Sequence, residues 1–206
     1  MNRQLAVFVI ESPADHDLLV GRQEGYVLCQ GINMAEGRCQ VFLAASRSTF
    51  QNALMLIHSS MKECKTEIHP VIHISAHGDH AGIELTDRSR IEWKELASHL
   101  SQINQDLDNQ LTVVFSSCEG AAGSCMAAGE DRPPFRHVVC NSKHPTWSET
   151  AVAFACFYLA IGKGKSHAQA LHAMREGSGN NDFVHLDIET SRTIAKGVLA
   201  SATLRA

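Results

Sequence analysis

The chain has 206 residues, 44% of them hydrophobic and 19% charged, with a formal net charge of -4. That is globular composition at a length that buries a core without staples, and with Lys and Arg scattered it excludes a basic face for nucleic acid. No apolar stretch reaches membrane-spanning length. Met1-Asn2-Arg3-Gln4 leads into an apolar run too short for a signal peptide, so a cytoplasmic protein is expected.

In chain order, residues 4–10 read as a first strand. Residues 15–35 are mixed, helical with a strand-like piece at 26–29. Residues 39–44 read as strand two. Ser48 or Thr49 can cap a helix running to Lys62, with Phe50, Ala53, Leu54 and Ile57 on one face. Residues 71–75 form strand three, and 82–85 start a small hairpin whose turn is marked by Asp87 and Ser89. Trp93, Leu96, Leu100 and Ile103 recur at helical spacing and predict a helix over 91–103. Strand four follows at 111–115, a break at Pro133-Pro134, and strand five at 136–141. Residues 148–161 are an apolar helix, interrupted by Gly162 and Gly164, and a further helix covers 166–176. Gly177-Ser178-Gly179-Asn180-Asn181 reads as a flexible loop, and 183–188 alternates as an edge strand. No internal repeat breaks the pattern. Strands alternating with helices over residues 1–206 predict one domain, a three-layer α/β/α sandwich with a mostly parallel central sheet, to which 176–206 add a C-terminal loop and edge element.

The chemistry concentrates at two strand ends. Ser75-Ala76-His77-Gly78 follows strand three, and Ser116-Ser117-Cys118-Glu119-Gly120 follows strand four. In open parallel sheets, ligands collect beyond the carboxyl ends of the strands. A His and a Cys brought to that edge are a general base and a nucleophile. His77 can take the thiol proton and return it to a leaving amine. The backbone N–H groups of Gly78 and Cys118 are candidates for an oxyanion hole, since Gly78 has no side chain to obstruct a ligand. The seven Cys are spread without a Cys-x-x-Cys, which argues against a zinc ribbon or redox motif. Reduced thiols are expected, with Cys29, Cys39, Cys140 and Cys156 acting as small buried hydrophobes. Cys125 is expected to pack within a small-residue, helix-like stretch.

On these residues the sequence resembles the caspase-like cysteine peptidases, and among them the CHAT-domain subgroup. The resemblance rests on the His-Gly after strand three, on the Cys-Glu after small residues at strand four, and on a third segment over 138–175. That segment carries Pro145, Trp147, Phe157-Tyr158, Gly162, Ala170-Leu171 and Arg175. It implies a caspase-like fold and hydrolysis of a peptide bond by a His77/Cys118 dyad without metal or organic cofactor. Ser116 matches a position lining the specificity pocket, and Asn141 and Ser142 match positions that hold the substrate backbone. The loop after strand one contributes to the same pocket in relatives; here Glu11, Asp15 and Asp17 would favour a basic side chain, whereas relatives with apolar pockets take Leu or Met. The implied partners are a protein or peptide substrate and a sensor or activator protein, with no nucleic acid and no membrane. A free-standing form implies an effector of bacterial defence, of the kind that cleaves gasdermin-like pore formers.

Two other readings compete. Ser75-Ala76-His77-Gly78-Asp79-His80-Ala81-Gly82 resembles the metallo-β-lactamase signature with Ser75 in place of one His, which removes a ligand from the site. A peptidase-dead relative acting as a binding module is the other. The twelve His are dispersed along the chain and predict surface and core roles for most of them.

Overall fold

The computed structural model describes residues 3–117, 120–128 and 132–203, the last seven by their backbone alone. β1 (Gln4–Ser12) is built on the unbroken apolar run from Leu5 to Ile10, whose side chains alternate between two cores. Ala6, Phe8 and Ile10 enter one, and Leu5, Val7 and Val9 the other. A strand buried on both faces must lie inside a sheet covered by helices on each side. Accordingly β1 pairs in parallel with β2 (Arg38–Leu43) and β3 (Ile68–Asp79). β3 continues in parallel to β6 (Thr112–Ser116), and β6 to β7 (His137–Asn141). An antiparallel edge strand, β8 (Phe183–Asp187), closes the order β2-β1-β3-β6-β7-β8. Two short strands, β4 (Gly82–Glu84) and β5 (Arg90–Glu92), extend β3 as a hairpin.

Helices cover both faces. α3 (Arg47–Glu63) and α4 (Trp93–Asp106) bury Phe50, Leu54, Ile57, Leu96 and Leu100 in the first core. α2 (Glu24–Met34), α5 (Trp147–Gly162) and α6 (His167–Ser178) bury Leu28, Phe154, Phe157, Tyr158 and Met174 in the second. A short α1 (Asp15–Leu19) follows β1, and α7 (Ile188–Thr203) follows β8. Reciprocal capping boxes start three of the helices, at Ser46/Thr49, Thr146/Glu149 and Ser166/Gln169.

Several sequence expectations are corrected. Residues 26–29 are helical, inside α2, although Tyr26 and Val27 face solvent and so mimic a strand pattern. The cap of α3 is Ser46, whose side chain accepts from the Thr49 N–H; Thr49 is its capping-box partner, and Ser48 lies inside the first turn. Ile91 belongs to β5, and α4 starts at Trp93. β3 runs four residues past Ser75, because β4 offers partners to His77, Gly78 and Asp79. The segment 177–181 is not a flexible loop: α6 continues to Ser178, Gly179 takes the left-handed cap conformation at φ 70°, and Asn180 donates to Glu149 Oε1 at 3.0 Å.

Cys29 and Cys39 form a disulfide between α2 and β2, against the expectation of reduced, merely packed thiols. Ten residues separate them, and the alternation of β2 with the pitch of α2 brings their Cα atoms to 4.9 Å. Such bonds persist in oxidising surroundings, so the cysteine count no longer argues for a cytoplasmic setting. Among the described residues no helix is long and apolar enough to cross a membrane.

Closing so short a loop constrains the unfolded chain, and on the loop-entropy scale the bond contributes about 2–3 kcal/mol. Peptide mapping without reductant is expected to recover a Cys29–Cys39 cross-link. Urea unfolding of a Cys29→Ala, Cys39→Ala double variant is expected to show a loss of about that size.

Candidate active site

The β3–β6 pairing is in register from Val71↔Thr112 to Ser75↔Ser116. The parallel pairing therefore ends at Ser75 and Ser116, side by side, and β3 alone runs on to Asp79. A cavity of about 80 Å³ opens there, lined by Ser12 and Pro13 from the end of β1, Ser75, Ala76 and His77 from β3, and Ser116 and Ser117 from β6; Pro145, Trp147 and Thr150 close it from the start of α5. The Pro-Trp pair of the third sequence segment thus forms one wall. His77 is exposed, and its other side faces an open polar hollow of about 260 Å³ bounded by Gly78, Asp79, Gly82, Glu84, Arg88 and Arg90. An imidazole at the junction of a small cavity and an open groove can exchange a proton with a group seated in either. Cys118, the expected nucleophile, and Glu119 lie outside the described residues.

The turn that follows His77 is held by Asp79. Its Oδ1 accepts from the Ala81 and Gly82 N–H groups at 2.8 and 3.2 Å. The Arg90 guanidinium binds both carboxylate oxygens, at 3.0 and 2.6 Å. Trp93 Nε1 donates to the Asp79 carbonyl at 3.1 Å. The backbone donor at Ala81 and the Arg90 side chain hold the Asp79 carboxyl below its ordinary range. Gly82 makes the turn feasible: a Cβ there would collide with the carbonyl of Ile91 on β5. With Asp79 tied to Arg90, the lactamase-like segment does not gather ligands. Among the described residues His77, Asp79 and His80 form no metal-ready cluster.

Beneath the cavity lies a buried polar chain that the sequence did not reveal. α2 has no side-chain cap of its own at Gln23. Its first N–H groups, at Glu24 and Gly25, donate instead to the Glu11 carboxylate at 2.5 and 3.2 Å, which supplies the cap from the end of β1. Gly25 has to be glycine, since a Cβ would sit 2.8 Å from Val9 and 3.0 Å from Glu11. Burial lifts the Glu11 carboxyl above its ordinary range despite these donors. Glu24 in turn accepts from the Ser75 hydroxyl at 2.8 Å through Oε2, 3.7 Å from His73 Nε2. Its Oε1 is buried with no hydrogen-bond partner among the described residues. His73 Nδ1 and the Tyr158 hydroxyl share a 2.6 Å hydrogen bond, and Phe154 packs edge-on against the ring. His73 is thus a core histidine.

Of the other sequence candidates, Ser116 lines the cavity and Gly78 the neighbouring hollow. Asp15 is exposed on α1, and Asp17 is buried beside Arg22 at 3.4 Å; neither lines the cavity. Asn141 is buried and accepts from the Lys143 N–H at 2.7 Å. Ser142 turns to the Asp182 carbonyl at 3.1 Å, and both sit apart from the cavity lining. The acid bonded to a cavity-lining residue is Glu24, through Ser75, and no signal in the sequence singled it out. Cys125 is exposed on a 3-10 helix (Gly120–Ala127) instead of packed inside it, and desolvation keeps its thiol above the ordinary range. Cys140 is buried and pushed up to about 12. Neither is disposed to form a thiolate.

No family model matches the chain, and no curated protein does. Among solved structures the fold is similar to a secreted C11 cysteine protease from Bacteroides thetaiotaomicron, iotapain, with a TM-score of 0.58 over 92% of this chain and 68% of that one, at 9% identity. The architecture is caspase-like: helices flank a central, mostly parallel sheet.

Because the Asp79 carboxyl is held low, its ordering of the hairpin persists above the usual carboxylate range and is lost as pH falls through the depressed value. Amide exchange of Ala81 and Gly82 is expected to be slow at neutral pH and to quicken, beyond its intrinsic pH dependence, only in stronger acid. In Asp79→Ala it is expected to be fast at every pH.

Proposed function

We propose that the chain is a caspase-like cysteine endopeptidase. The observation that carries this reading is the shared cavity at the β3–β6 edge, into which His77 projects beside the two residues preceding Cys118. In the reaction, Cys118 attacks the scissile carbonyl. His77 takes the thiol proton and delivers it to the departing amine, and water then releases the acyl group by the same base. The backbone N–H groups of Gly78 and Cys118 receive the oxyanion charge. The cavity, with Ser116 on its wall, takes the side chain that precedes the cleaved bond. Asn141 and Ser142, at the end of β7, are the candidates for holding the substrate backbone.

For specificity, Glu24 is favoured over Asp15 and Asp17. It binds Ser75, which lines the cavity, and keeps a buried oxygen without a partner. An unpaired buried acceptor is costly, and a Lys or Arg side chain entering the cavity would supply the missing donor. The finer assignment to the CHAT subgroup rests on the sequence resemblance alone. So do the role in bacterial defence, the sensor or activator protein, and a gasdermin-like target.

Two measurements test the reading. With a library of fluorogenic peptides, Cys118→Ala is expected to lower kcat/KM by about 10³-fold or more and His77→Ala by about 10²-fold or more, while a chelator leaves the rate unchanged. Retention of cleavage in Cys118→Ala would end the proposal. In the same library, wild-type protein is expected to prefer Lys or Arg before the cleaved bond, and Glu24→Gln, which keeps an acceptor for Ser75, to cut that preference by about tenfold. A wild-type preference for Leu or Met would remove Glu24 from the role and leave the peptidase assignment standing.

A further inference from the structure

Far from the cavity, four of the twelve histidines meet. His69 is the second residue of β3, His137 begins β7, His185 lies in β8 and His167 is the first residue of α6. Strand alternation turns the first three to the face covered by α5 and α6, and the antiparallel register Val139↔His185, His137↔Asp187 sets His137 and His185 diagonally across the β7–β8 pair. α6 then lowers His167 onto them. The His137 and His167 ring centroids lie 4.1 Å apart, and those of His167 and His185 4.8 Å. The expectation of dispersed histidines with unrelated roles does not hold for this group.

We propose that His137, His167 and His185 form a binding site for a divalent transition-metal ion, with Zn²⁺ the best match. Each offers one ring nitrogen, and these atoms all lie within 4.8 Å of one another. His185 Nε2 and His137 Nδ1 are already 3.1 Å apart. A tetrahedral zinc ion with bonds of about 2.0–2.1 Å needs ligand nitrogens roughly 3.3 Å apart, so small rotations of the His167 ring complete the set. The ring nitrogens of His167 make no hydrogen bond to any described residue. Imidazole is a preferred ligand of zinc, copper and nickel, and the fourth position falls to water or to His69, whose ring lies 6.1 Å from that of His167.

The electrostatics suit this use. Burial, followed by repulsion from neighbouring imidazoles, drives His167 down to about 3; burial, then His185, drives His137 down to about 4. Burial also lowers His185 and His69. At neutral pH all four are unprotonated, the form that coordinates metal. Arg136 and the positive end of α6 oppose a cation, and the Asp187 carboxylate, paired across from His137, favours one.

The site is not part of the peptidase chemistry. His69 and His77 are separated by eight residues of one strand, roughly 26 Å at about 3.3 Å per residue. A metal held here would instead fasten the edge strand β8 and helix α6 to the sheet. The proposal stands independently of the peptidase reading, and its test uses no activity.

Chelator-stripped, unreduced full-length protein is titrated with ZnCl₂ by calorimetry at neutral pH. One ion per chain is expected to bind with micromolar or tighter affinity and to raise Tm. Cobalt is expected to give a tetrahedral d–d spectrum without a thiolate charge-transfer band. His167→Ala and His185→Ala are each expected to weaken binding at least tenfold while keeping the metal-free Tm, and His172→Ala, an exposed position on the same helix, to leave it unchanged. If His185→Ala does not fold, His167→Gln, on the helix, carries the comparison. Absence of binding, unaltered affinity in the His167 variants, or a thiolate band would each overturn the proposal.

Discussion

The parallel pairing of β3 with β6 is the constraint on which the rest of the molecule depends. In a parallel ladder both strands end on the same edge, and here the last paired residues are Ser75 and Ser116. Two segments forty-one positions apart are thereby made neighbours without either needing a local reason to meet. The hairpin β4–β5 and helix α4 between them serve as the crossover such a connection requires. Everything at the cavity mouth, from the Asp79–Arg90 clasp to the Pro145–Trp147 wall, elaborates on that edge.

Behind the edge, the protein carries a run of polar groups through an otherwise apolar interior. Glu11, Glu24, Ser75, His73 and Tyr158 are all buried, and they connect the end of β1, the start of α2, the middle of β3 and the core face of α5. A carboxylate taken out of water is tolerated only when donors surround it. For Glu11 the donors are the free N–H groups of α2. One interaction therefore completes a helix terminus and sets Glu24 under the cavity floor. The same network leaves an oxygen of Glu24 and Nε2 of His73 without hydrogen-bond partners among the described residues. Unfinished hydrogen bonding of this kind is a reserve that a ligand can complete.

Local pattern made much of the fold legible. The five parallel strands were readable as apolar runs between small residues, and β8 as an alternating edge. The buried faces of α3 and α4 followed from helical spacing. The failures have identifiable causes. Tyr26 and Val27 are exposed on α2, so their bulk signalled a strand that burial does not support. The Gly177–Asn181 composition suggested flexibility, but Gly179 is there to end a helix and Asn180 to bind Glu149. The Cys29–Cys39 bond and the exposure of Cys125 escaped because thiol pairing and solvent contact are set by how elements pack.

By itself the chain determined where most strands and helices lie, and that a histidine and a cysteine each stand close behind an apolar run of strand character. Periodicity and small-residue punctuation are local properties, written into consecutive residues. Only the tertiary structure decided that Glu24, not Asp15 or Asp17, is bound to a residue of the cavity wall, and that histidines from three strands and a helix converge at the opposite edge. Such meetings arise from strand register and helix placement, which bring together side chains separated by scores of residues and leave no mark in the sequence around any one of them.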